Sequence, residues 1–133
     1  MNTAFVILGS IFVFIAAIIH VLIFFMESIL WTKPATWKRF GLTSQADADT
    51  VRPMAFNQGF YNLFLAIGVG IGLIMIGGNI AGGVPIALFA AGSMVAAALV
   101  LLVSSPKLAR AAAIQGAAPL LGIIFLVLAL ATV

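Results

Sequence analysis

Four stretches of about twenty residues each are almost wholly apolar, and they limit what this chain can become. They run over residues 3–26, 57–76, 84–103 and 111–132. A helix rises about 1.5 Å per residue, so about twenty apolar residues cross a hydrocarbon core of about 30 Å. Backbone polar groups at that depth find no water, and a helix satisfies them within one segment. A barrel would need short segments of alternating polarity, and the sequence has none. The predicted fold is therefore all-α: a polytopic membrane protein with four transmembrane helices in an antiparallel bundle, forming a single unit over residues 1–133. Composition agrees, since 65% of the 133 residues are hydrophobic and 7% are charged. A water-soluble domain carries about a quarter charged residues and would have no comparable apolar surface to hide.

The breaks between segments have their own chemistry. Gly77-Gly78-Asn79-Ile80-Ala81-Gly82-Gly83 reads as a tight uncharged turn, with Pro85 in the first turn of the next helix. Ser104-Ser105-Pro106 reads as a second short break. The one long connection, residues 28–56, is expected to lie on the membrane surface, because Trp31, Trp37 and Phe40 stand among Lys33, Lys38 and Arg39. Within it Ser44 and Asp47 have capping-box spacing, which predicts a short helix leading into the second span. The N-terminus has no basic residue ahead of its apolar run, and that run is too long for a signal peptide. Both features favour a retained first helix.

Charge placement orients the chain. Lys33, Lys38, Arg39 and Arg52 fall between the first and second spans, and Lys107 and Arg110 between the third and fourth. Loops rich in Lys and Arg stay in the cytoplasm, so both termini are expected outside it, in a multi-pass protein of the cell (plasma) membrane. The formal charge of +3 is thus a matter of topology, and no phosphate-tracking face for nucleic acid is present. There are no cysteines, which removes disulfide and thiolate chemistry.

Polar side chains gather in the inner half of the predicted bundle. His20 and Glu27 are seven residues apart, on one helical face and about 10 Å apart along the axis. The second span opens Asn57-Gln58-Gly59-Phe60-Tyr61-Asn62, where Gln58 with Asn62 and Asn57 with Tyr61 have the spacing of face-sharing pairs. Matching depths puts Glu27 level with Asn57 and Gln58, and His20 level with Asn62 or one turn deeper. Gln115 joins from the fourth span. Ionisable groups at membrane depth are costly and tend to mark sites, so these residues form the candidate ligand-binding or proton-handling cluster. One His and one Glu do not make a metal site, and no cofactor is expected. Small residues on the second and third spans, such as Gly68, Gly72, Ala87 and Ala91, suit close helix packing, within the chain or between copies.

His20, Glu27, Trp31 and Phe40, the run from Ala55 to Ala66 containing Asn-Gln-Gly-Phe-Tyr-Asn, and Gln115-Gly116 together resemble the DUF1304 family of small bacterial and fungal membrane proteins. The likeness covers essentially the whole chain and implies a four-helix membrane protein, with no activity attached. Three functions compete on the residues: a binder or carrier of a small molecule or proton, an accessory subunit of a larger membrane complex, and an intramembrane acid-base enzyme acting on a lipid-like substrate through His20 and Glu27. The partners to expect are membrane lipids, a small ligand, and further copies or a larger complex.

Overall fold

A computed structural model describes residues 2–132. The regular elements among them are all helices, with no strand. Helix α1 (Thr3–Phe24) is capped by the Asn2 side chain and ends in a π-helical turn, Phe25–Ile29. A four-residue helix, α2 (Pro34–Trp37), leads through the tighter turn Lys38–Phe40 to Gly41, whose φ of 83° lies in the left-handed region. Then come α3 (Gln45–Gly78), α4 (Ile80–Ser104) and α5 (Ala109–Ala131), the last entered through a turn at Pro106–Leu108. Four of these segments are long and apolar enough to cross a membrane, as in a multi-pass membrane protein. Their outward side chains are apolar as well: Val103 is 81%, Ile74 79% and Phe89 78% exposed.

Two boundaries differ from those expected. The second span is not a helix that starts at residue 57 after a surface loop: α3 begins at Gln45 and runs unbroken through Pro53. The Ser44 hydroxyl accepts the Asp47 amide hydrogen at 3.1 Å, so the cap was read correctly, but the helix it starts never stops. Thirty-four residues at about 1.5 Å each extend well beyond a core of about 30 Å, so the polar first third projects past the apolar span. The expected seven-residue turn shrinks to Asn79. Its side-chain oxygen accepts from the Gly82 amide at 3.2 Å, while its own amide donates to the Met75 carbonyl at 2.6 Å. Pro85 accordingly lies beyond the first turn of α4.

Each long helix packs on two others, α1 and α4 both against α3 and α5. In lipid, burying Leu against Leu gains little, and close backbone approach has to supply the packing. The central core is correspondingly built of Ala and Val, with Met94 and Leu126 as its larger members. A methyl group on Gly72 would stand 2.7 Å from the Ala87 amide nitrogen, and one on Gly122 3.0 Å from that of Val13. A second, smaller core forms beside the spans. Trp31 and Trp37 pack with Ala48 and Ala55, and the Trp31 indole donates to the Ala48 carbonyl at 2.9 Å. Residues 28–44 are thus folded onto the projecting part of α3.

The α3–α4 crossing makes a paired prediction. Gly72→Ala should cost about 1–3 kcal/mol, because its methyl meets backbone that cannot turn aside. Gly70→Ala meets nothing within 4 Å and should be neutral or slightly stabilising, as Ala is the better helix former. Thermal unfolding in detergent checks it: equal midpoints for the two variants would contradict this account of the crossing.

Candidate functional site

The site begins at the π turn that ends α1. The Leu30 amide reaches back five residues to the Phe25 carbonyl at 2.8 Å, which widens the helix just where Glu27 and Ser28 emerge. Facing this turn on α3 is Gly59. A Cβ there would collide with the Ser28 hydroxyl oxygen and stand 3.2 Å from the Glu27 Cβ. Ser28 Oγ donates to the Phe56 carbonyl at 2.9 Å and ties the two helices together.

That approach brings Asn62 to Glu27. Asn62 Nδ2 donates to Glu27 Oε2 at 2.9 Å and to the Gln58 carbonyl at 3.1 Å, so both amide hydrogens are used and the side chain is held. Among the described residues no cationic side chain bears on Glu27, which is half-buried. The Glu27 Cβ thus stands beside Gly59, one residue past the Gln58 of the depth match, and its carboxyl group meets Asn62 one turn deeper.

His20 is 1% exposed, and its Nδ1 lies 2.8 Å from the Ala16 carbonyl. A carbonyl accepts only, so Nδ1 carries the hydrogen and Nε2 of the neutral ring is an acceptor. No polar side chain meets Nε2 among the described residues. The ring is not joined to Glu27. Phe24, about one turn from each along α1, meets Phe60 edge-on at 5.1 Å and 74°, placing aromatic surface between the two polar positions. Phe56 and Phe64 extend this row, their ring centroids 5.1 and 6.2 Å from that of Phe60.

The remaining candidates lie at the edges. Asn57, Gln58 and Tyr61 are exposed, and their side chains have no hydrogen-bond partner among the described residues. Gln115 is half-buried. The Val13–Gly122 approach sets the register of α1 against α5, and seven residues further along each helix it brings His20 level with Gln115. Pro119 lies inside α5 and has no N–H to offer four residues back, so the Gln115 carbonyl lacks its helical donor.

The sequence reading missed Ser28 and Gly59. Ser28 carried no signal beyond its place beside Glu27. Gly59 stood inside a polar motif, which was itself the hint that backbone approaches backbone there. Two grooves of about 340 and 320 Å³ lie elsewhere on the surface, lined by apolar residues and by none of the candidates.

At the Glu27–Asn62 pair the free atoms, Glu27 Oε1 and Asn62 Oδ1, are acceptors and both Asn62 amide hydrogens are spent, while the exposed Asn57, Gln58 and Tyr61 keep donors of their own at its edge. Such a set, next to aromatic faces, suits a ligand that donates hydrogen bonds and carries positive charge.

Comparison with curated proteins and with solved structures gives no match. The profile of DUF1304, described as a protein of unknown function, matches residues 14–127, which takes in His20, the π turn, the Asn57–Asn62 block and Gln115. The chain belongs to the DUF1304 family.

Proposed function

We propose that this protein binds or carries a small hydrogen-bond-donating molecule, cationic or a proton, at a polar site near the inner leaflet of the cell membrane. The observation that supports it is the Glu27–Asn62 pair. A carboxyl group at the end of an apolar span is held by one amide, with no counter-cation among the described residues and with a free oxygen. In this reading Glu27 and Asn62 take the charged or donating end of the ligand, and Asn57, Gln58 and Tyr61 form the mouth. Phe24 and Phe60 receive the ligand's apolar part or cover the ring of a second station, where His20 Nε2 and Gln115 lie. Passage between the stations requires the aromatic pair to part.

The helices form an antiparallel four-helix bundle with both termini extracytoplasmic. Support for this orientation comes from the basic side chains: Lys33, Lys38, Arg39 and Lys107 are in the segments that join α1 to α3 and α4 to α5, Arg52 is in the projecting first third of α3, and Arg110 is in the first turn of α5. The accessory-subunit reading drew on small-residue faces. Gly68 and Gly72 are occupied within the chain by Ala90 and Ala87, which takes away much of its motive.

An alkylamine and an alkanol of equal chain length separate the charged from the apolar contribution. The amine should raise the thermal midpoint of the purified protein more than the alcohol does. Glu27→Gln should remove that difference, and His20→Ala should reduce it. The reading fails if both variants respond as the parent does. Topology is tested apart from ligand. The parent chain has no cysteine, so Gly78→Cys should react with a membrane-impermeant thiol reagent in intact cells, and Ser105→Cys only after permeabilisation. The reverse pattern would invert the orientation.

A further inference from the structure

Away from the polar site, α4 and α5 leave a groove of about 340 Å³. Val95, Leu99 and Leu102 wall it on one side, and Ala109, Ala113 and Leu120 on the other. Its floor is tight, since a methyl on Gly116 would lie 2.8 Å from the Ala98 Cβ. Leu99, Leu102 and Leu120 are 56%, 43% and 47% exposed, so the groove faces the surroundings and not the core. From Ala109 to Leu120 is eleven residues, or about 16 Å of helix, close to one leaflet of a core of about 30 Å.

One end of the groove is basic. Lys107 and Arg110, both exposed, stand where α5 begins. The other basic connection approaches the turn before α5, where a Cβ on Gly41 would lie 3.6 Å from Leu108 Cδ2. An apolar slot one leaflet long, with cations at its mouth, complements a phospholipid that bears a net negative headgroup.

We propose that the α4–α5 groove seats one acyl chain of an anionic phospholipid, with the phosphate held at Lys107 and Arg110. The site is separate from the Glu27–Asn62 pair and stands whether or not that pair binds a ligand. The small residues Ala109, Ala113 and Gly116 make the room, and the charge at the mouth makes the choice of headgroup.

The test uses the purified full chain in nonionic detergent, titrated with phosphatidylglycerol and with phosphatidylcholine of identical acyl chains. Native mass spectrometry counts the lipid retained. The expected result is one phosphatidylglycerol held in preference to phosphatidylcholine. Lys107→Gln and Arg110→Gln should each weaken phosphatidylglycerol about fivefold, as for a basic side chain near an anionic surface, and leave phosphatidylcholine unchanged. Ala113→Phe, at an exposed lining position, should weaken both lipids by filling the slot. Equal retention of the two lipids by the parent overturns the proposal. So does undiminished phosphatidylglycerol binding by the Lys107→Gln/Arg110→Gln double variant, or a second protein chain in the lipid's place. If Ala113→Phe does not fold, the charge variants still decide.

Discussion

Close approach of helix backbones, made where one side has no side chain, is what this structure rests on. Lipid tails are as apolar as leucine, so a helix gains little by hiding one from them. Contact distance is the remaining resource. Gly72 against Ala87, Gly122 against Val13 and Gly59 against Ser28 each bring main chain to main chain or nearly so. The last of these also sets the chemistry. It is because α3 has nothing at position 59 that Asn62, one turn on, reaches the Glu27 carboxylate. Packing and site are one arrangement here, and the glycine that serves the first positions the second.

Much of this was legible in the chain. Long apolar runs announce their own helices, because no other backbone is tolerated at that depth. The Ser44 cap was legible for a local reason, a hydroxyl three residues ahead of a carboxylate. The extent of α3 was not, because residues 45–56 are polar and contain Pro53, and hydropathy registers only the part that meets lipid. In α3 Pro53 merely leaves one carbonyl without its donor in a helix held by Trp31 and Trp37 alongside.

The polar cluster divides in a similar way. That Glu27 would lie near the start of the second apolar run could be read from depth; that its partner would be Asn62, which the same arithmetic put level with His20, could not. The separation of His20 from them could not be seen. It depends on Phe24 and Phe60 meeting edge-on, and rings at helical spacing look the same in sequence whether they face lipid or one another. The π turn was equally silent, since a helix can widen by one residue with no mark in its composition.

Asn79 carries one more consequence. With a single residue between a helix of 34 and one of 25, and with Gly83 pressed to within 2.6 Å of the Gly72 carbonyl oxygen by the measure of its absent methyl, α3 and α4 cannot slide along each other. They must travel as one stiff lever. Whatever breathing this protein has is thereby confined to the seams that α1 and α5 make with that lever, and one of those seams is the line where Phe24 leans on Phe60.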